Sequence, residues 1–261
     1  MLRMRFARGA RVVALVAVLG AMLAPAGAQD RGPELSTDEI IRRFTQAESV
    51  LRDARNNYTF KQDVLIQTLA GPSAVTGTYR RVSEIIFDDQ SKRIERITYF
   101  PPPTLRLTVT QEDLQDLGII QPFALTAEDL PKYNVRFVGR DKIDDIDTYV
   151  FEVGPRDPKG MAKRGERYFS GRLWVEDEEY MIVKAAGKAG PEVGEQRFPR
   201  FETYREHVDG KYWFPTYTYA DDILAFDTGD VHIRMVVKYA DYKEFSGSIT
   251  VEGVGEDEPE P

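Results

Sequence analysis

From Tyr58 onward, apolar residues recur at every second position through one short segment after another. Nearly every connection between segments is a turn of a few residues. Tyr58, Phe60, Val64 and Ile66 share one face, with Lys61 and Asp63 on the other. Gly71-Pro72 turns the chain. Val75, Tyr79, Ile85 and Phe87 follow, interleaved with Arg80 and Glu84, and a third strand runs over 93–100 after Asp88-Asp89. Connections this short exclude parallel crossovers, so the strands are antiparallel. The pattern resumes at 135–138, 149–153, 168–175, 180–185, 198–208, 212–219 and 231–245, with turns at Asp144-Asp145, 176–179, Asp209-Gly210 and 227–230. With a short strand at 105–109, the total is about ten or eleven. The expected fold class is therefore mainly β with a few helices. Strand twist accumulates across a sheet of this size, so it must curl, and the expected form is an unclosed antiparallel β-barrel, a half-barrel of about eleven strands with helices covering the concave side.

Few segments are available to cover that concavity. Ser36 and Glu39 have capping-box spacing, and Ile40, Phe44, Ala47, Leu51 and Ala54 recur at steps of three and four, with Arg42, Arg43, Glu48, Arg52 and Asp53 mostly opposite. The spacing predicts one amphipathic helix, stopped by Asn56-Asn57. A second helical stretch is expected near 110–117, where Thr110 and Asp113 form a cap pair. It is followed by an apolar but irregular connection holding Ile119, Ile120, Pro122, Phe123 and Leu125. One helix and one apolar loop are little filling for so many strands. A partly open apolar interior is expected, with Phe60, Val64, Phe87, Leu173, Trp174, Phe214, Tyr217, Tyr219 and Met235 as candidate wall residues. Leu173 and Trp174 have opposite parity, so only one of them points inward. Ile40, Phe44, Leu51, Ile119, Ile120 and Phe123 are the candidate lid.

The ends of the chain read as an address and a tail. Residues 1–28 carry four arginines, an apolar stretch over 12–23 and the small-residue site Ala26-Gly27-Ala28, the pattern of a cleavable signal peptide. That apolar stretch is well short of the roughly 20 residues that span a bilayer. Taking those four arginines from the 35 basic residues leaves 31 against 43 acidic ones, a net charge of −12 for the mature chain. Such a surface argues against nucleic acid. Residues 29–250 read as one domain and 251–261 as an acidic, disordered tail. The expected location is the periplasm, in a soluble form.

Chemistry-bearing motifs are sparse. The absence of cysteine excludes disulfides, a thiol nucleophile, iron–sulfur clusters and a lipidated cysteine. The two histidines, His207 and His232, sit in strand pattern outside any metal or nucleophile motif. The acidic groups at 144–147, 176–179 and 221–222 fall where hairpins turn and lack calcium-loop spacing. The reading is therefore no catalytic residues, no metal and no cofactor. Arg156, Lys159, Lys163, Arg164 and Arg167, against Asp157 and Glu166, invert the sign of an acidic chain locally and are candidates for contact with a lipid headgroup or an acidic partner.

Four stretches, in order, carry a family resemblance: Val138-Gly139-Arg140-Asp141-Lys142-Ile143 with Asp147-Thr148-Tyr149-Val150-Phe151; Phe169-Ser170-Gly171-Arg172-Leu173-Trp174 through Tyr180 to Lys184; Gly210-Lys211-Tyr212-Trp213-Phe214-Pro215; and Val237-Lys238-Tyr239 through Tyr242 to Phe245. After a signal peptide and an N-terminal helix, this chain resembles the superfamily of periplasmic lipoprotein carriers, which includes their outer-membrane receptor and the sensor domain of a sigma-factor regulator. The resemblance covers most of the mature chain and is strongest over about 135–245. It implies an unclosed barrel whose members bind acyl chains or hydrophobic partners and are not enzymes. The implied function is a carrier for a lipid or the acyl part of a lipoprotein, passed to an outer- or inner-membrane protein partner. The alternative is an envelope-stress sensor or protein-interaction module of the same fold.

Overall fold

The computed structural model describes residues 35–88, 90, 92–105, 107–110, 113 and 123–245. The chain divides into Met1–Leu35 and Ser36–Pro261, and the account below concerns the second unit. The expected signal peptide and acidic tail lie outside the described residues.

Helix α1 spans Thr37–Arg55 and starts as the capping box predicts: the Ser36 hydroxyl accepts the Glu39 amide at 3.2 Å. Ten strands follow among the described residues: β1 (Tyr58–Ala70), β2 (Ala74–Phe87), β3 (Arg93–Tyr99), β4 (Tyr133–Ile143), β5 (Ile146–Pro155), β6 (Tyr168–Glu176), β7 (Ile182–Gly190), β8 (Phe201–Val208), β9 (Tyr212–Phe226) and β10 (Gly229–Glu244). A short helix α2 (Pro158–Lys163) lies between β5 and β6, and a single 3-10 turn (Leu130–Lys132) precedes β4.

All ten strands form one sheet in the order β3-β2-β1-β10-β9-β8-β7-β6-β5-β4, with every neighbour antiparallel. Nine interstrand steps at about 20–25° each accumulate roughly 200° of twist, enough to curl the sheet upon itself. The end strands β3 and β4 do not pair with each other, so the barrel stays open. The strand count is ten rather than eleven because residues 105 and 107–109 form no strand. The run Pro101-Pro102-Pro103 supplies no amide for a ladder. The chain instead tucks against β2, where the Thr104 amide donates to the Thr78 carbonyl at 2.8 Å. The Thr110–Asp113 cap pair does form: the Thr110 amide and hydroxyl both reach the Asp113 carboxylate at 2.8 Å.

Pairing register makes the two faces explicit. One row crosses nine strands as Phe137, Phe151, Leu173, Ala185, Thr203, Thr218, Val237, Val64 and Arg81. From Phe151 to Arg81 every member of that row is buried. The next row holds Val153, Gly171, Gly187, Phe201, Ala220, Met235, Ile66 and Tyr79. Its two glycines leave room for the Phe169 ring, which lies within 2.8 Å of where a Cβ at either position would stand. The inner face is thus an apolar lining crossed by a few hydroxyls.

Candidate binding face and its buried ion pair

Helix α1 lies on the inner face. Ile40, Phe44 and Leu51 are buried, the Phe44 ring meets Phe151 at 5.2 Å, and Leu51 packs with Tyr58, Met181 and Phe214. The 123–129 segment is tied to the same helix. The Ala127 amide donates to the Ser49 hydroxyl and the Thr45 carbonyl, both at 3.1 Å, and Arg52 bridges to Glu128 at 3.0 Å. Phe123 is buried and stacks on Phe169 at 4.5 Å. Ile40, Phe44, Leu51 and Phe123 are thus packed onto the inner face. Ile119 and Ile120 lie outside the described residues.

The contact between helix and sheet is not purely apolar. Glu48 and Arg205 form an ion pair with side chains 0% and 2% exposed. One nitrogen of Arg205 donates to both Glu48 carboxylate oxygens, at 2.8 and 3.0 Å, and another donates to the Phe123 carbonyl. The Glu48 carboxylate also accepts the Ile182 amide at 3.2 Å. Four segments thus meet at one charge pair: α1, the start of β7, β8 and the 123–125 stretch. Burial pushes the Glu48 carboxyl above its ordinary pKa, and Arg205 with the Ile182 amide pulls against that. The expectation that Glu48 faces solvent is overturned. It stands four residues after Phe44 and three before Leu51, on the stripe itself. Its partner was equally placed by parity, since Phe201, Thr203 and Arg205 alternate inward.

Parity also sorts the expected wall. Phe60, Val64, Leu173, Phe214 and Met235 are buried on the inner face, and Phe87 sits half-exposed at its end against Phe245, 5.1 Å away. Trp174, Tyr217 and Tyr219 belong to the other face, because their neighbours Leu173 and Thr218 occupy the inner row. On that face the Trp174 indole donates to Asp141 at 2.9 Å, Lys184 lies over its ring at 4.9 Å, and Tyr217 stacks with Tyr219. These three are corrected from inner wall to outer surface: tyrosine and tryptophan suit a half-wet face as readily as a core.

At the C-terminal end of α1 the inner face carries an aromatic stack. Phe60 lies on Tyr242 at 5.1 Å, Tyr242 on Phe214 at 4.7 Å, and Phe214 against Tyr58 at 4.7 Å. Beside it is a cavity of about 70 Å³, lined by Leu51, Phe214 and the four arginines 52, 55, 93 and 205 among others. Burial holds the Arg55 guanidinium below its ordinary pKa, and burial followed by the neighbouring Arg55 lowers Arg93 to about 10.

The basic 156–167 segment is more structured than a hairpin tip. Asp157 caps α2 through the Gly160 amide at 2.8 Å, Met161 is buried, and Arg156 donates to the Tyr133 carbonyl at 2.7 Å. Arg164 pairs with Glu166 at 2.7 Å and Arg167 with Gln196 at 2.9 Å, while Lys159 and Lys163 stay exposed. Of the acidic turns, Glu176 folds back to accept three backbone amides, from residues 178, 179 and 181. His207 lies against Trp213 at 5.3 Å, and His232 bonds Asp221. No cluster of three metal-ligating side chains occurs among the described residues, and no described helix is long and apolar enough to cross a membrane.

The chain is similar to lipoprotein-sorting and MucB structures. A protein domain from Vibrio parahaemolyticus described as outer-membrane lipoprotein-sorting matches with a TM-score of 0.32 and 10% identity, over 78% of this chain and 94% of that one. A DUF1329 family protein from Desulfovibrio piger gives 0.38 and 13%, over 78% and 92%. MucB gives 0.28 and 11%, over 78% and 92%, and is also matched in its complex with MucA(peri). No family model matches the chain, and no curated protein matches it. The functional reading rests on the chain's own residues.

Proposed function

We propose that this is an exported binding protein of the periplasm that holds an acyl chain, of a lipid or a lipoprotein, against the inner face of its open sheet and passes it to a membrane partner. The observation that carries the reading is the way the inner rows are covered. Among the described residues, an unclosed sheet with a long apolar lining is covered by one helix and one irregular segment, not by a second sheet. Such a cover can be exchanged. Burying Ile40, Phe44 and Leu51 contributes roughly 5–9 kcal/mol, and a sixteen-carbon chain offers about 10 kcal/mol before association costs. A guest that takes the place of the α1 stripe therefore starts near energetic balance, which is what reversible loading and delivery require.

The test is mass spectrometry of gently purified native protein, compared with a Val64→Asp, Met235→Asp variant. Co-purified acyl lipid on the wild type and its loss in the variant is the expected result. Lipid-free wild type that also fails to take up added fatty acid would sink the proposal. A second reading, a protein-interaction module, draws on edge strand β3, which leaves Ile94, Ile97 and Tyr99 exposed beside unpaired backbone. Capture of a protein partner that a β3 substitution abolishes and the inner-face variant does not would favour it.

A further inference from the structure

Arg81 ends the inner row that runs through Val237 and Val64, and its side chain is 7% exposed. Arginine is almost never buried so deeply unless it is paired. Its charge is answered: one terminal nitrogen stands 3.0 Å from a Glu95 carboxylate oxygen, and the same oxygen accepts the Ser83 hydroxyl at 2.6 Å. Glu95 is 32% exposed and belongs to edge strand β3, so the pair runs from the lining out to the open rim. What the pair leaves over is the Arg81 Nε. It is shut off from solvent, and among the described residues no acceptor reaches it. Buried donors nearly always find a partner, and each exception calls for an explanation. The immediate neighbours supply none. The inward residues beside it on β2 are Tyr79 and Ser83, both buried, and the residue opposite on β1 is Val64. Arg205, equally buried on the same face, directs its nitrogens to Glu48 and the Phe123 carbonyl. An ion pair with Glu95 needs only the terminal nitrogens of Arg81, not a stem nitrogen held away from water.

We infer that Arg81 is a binding residue for the ligand's carbonyl group: its Nε–H donates to the uncharged oxygen of an ester or amide linkage at the head of the bound acyl chain. This rests on the carrier reading and narrows its ligand from any acyl chain to one headed by a neutral carbonyl linkage. Water does not reach Nε, so its acceptor arrives with the guest. The charge of that acceptor follows from Glu95. A carboxylate or phosphate head would meet a guanidinium already neutralised, with a second carboxylate beside it. A carbonyl oxygen takes one charge-assisted hydrogen bond and leaves the pair in place. The position suits a head group as well. Arg81 stands on the second strand from the open edge, and Val64 and Val237 continue its row inward for the chain.

The experiment follows displacement of N-phenyl-1-naphthylamine from the full mature protein at pH 8, in wild type, Arg81→Met and Arg81→Lys. The competitors are methyl dodecanoate, N-methyldodecanamide, dodecyl methyl ether and dodecanoate. One charge-assisted hydrogen bond predicts both carbonyl ligands at least about tenfold tighter than the ether. Both substitutions should bring that ratio close to unity. Methionine removes every donor, whereas lysine keeps a charge opposite Glu95 but carries no nitrogen at the Nε position. The ratio is taken within each protein, so a general loss of affinity cancels, and the lysine variant decides the matter if the methionine variant fails to fold. A ratio near unity in wild type, a ratio that survives either substitution, or dodecanoate as the tightest ligand overturns the carbonyl site and leaves the carrier reading standing. A preference confined to the ester or to the amide upholds the site and assigns its linkage. Failure of every competitor to displace the probe overturns both.

Discussion

Replacing Glu48 by leucine tests how the covering helix is held. The substitution keeps the side chain's bulk and its place on the α1 stripe, but strips Arg205 of both its carboxylate contacts and the Ile182 amide of its acceptor. Arg205, 2% exposed, is then a buried charge with only the Phe123 carbonyl beside it. Removing one partner of a buried pair costs about 3–5 kcal/mol, and an orphaned buried amide accounts for about 1–3 of comparable penalty, so the loss belongs at the upper end of that range. At a urea dependence of about 3 kcal/mol per molar, the unfolding midpoint drops by roughly 1.3–1.7 M. The double variant Glu48→Leu, Arg205→Met removes both charges together. It should recover most of the loss, because hydrophobic replacement of a buried pair is often neutral or stabilising by about 1–4 kcal/mol. Urea titration followed by circular dichroism reads wild type, Glu48→Leu, Arg205→Met and the double variant. A Glu48→Leu midpoint within about 0.3 M of wild type, or a double variant as unstable as the sum of its single changes, would refute the claim that this pair pins α1 to the sheet.

Four further expectations use the same assay. Leu173→Ala should cost about 2–5 kcal/mol and Trp174→Ala about 1, because Leu173 is in the inner row and Trp174 stands on the outer face; the reverse order would invert the assigned parity of β6. Gly187→Ala should lower stability by about 1–3 kcal/mol or more, since the new Cβ would stand 2.3 Å from the Ser170 carbonyl oxygen and 2.7 Å from the Phe169 ring; a variant as stable as wild type would show that the two strands can part at no cost. Burial raises the Glu176 pKa, so its contribution is full below the ordinary glutamate value and is lost as pH rises through the raised one. Glu176→Gln should therefore gain on wild type between pH 4 and pH 7, and a stability difference flat across that window would contradict it. Glu39, held at about 2 by Arg42 and Arg43, acts in the opposite sense: its contribution is present above its ordinary value and disappears as pH falls through about 2.

What the sequence could reveal follows from which patterns are local. Strands β1 to β10 are legible because alternation and turn residues act within a few positions, and the open sheet follows because short connections leave antiparallel neighbours as the only choice. The alternation over 105–109 is as good as its neighbours', but the proline run ahead of it sends the chain along β2 by side-chain and carbonyl contacts that no periodicity encodes. Trp174, Tyr217 and Tyr219 suit an inner wall by their aromatic chemistry, but the inward parity of their neighbours Leu173 and Thr218 places them on the outer face. Glu48 is the instructive case. A carboxylate on a helix reads as solvent-facing because burying it alone is prohibitive. Only the second residue, Arg205, 157 positions away at inward parity on β8, turns the prohibition into a pairing. The consequence reaches function. A cover seated only by apolar contact would tolerate sliding, whereas a buried pair that also holds the Ile182 amide and the Phe123 carbonyl fixes α1 at one register. The helix can then leave the sheet only if both charges become solvated together. Under the carrier reading proposed above, loading and release would require that step.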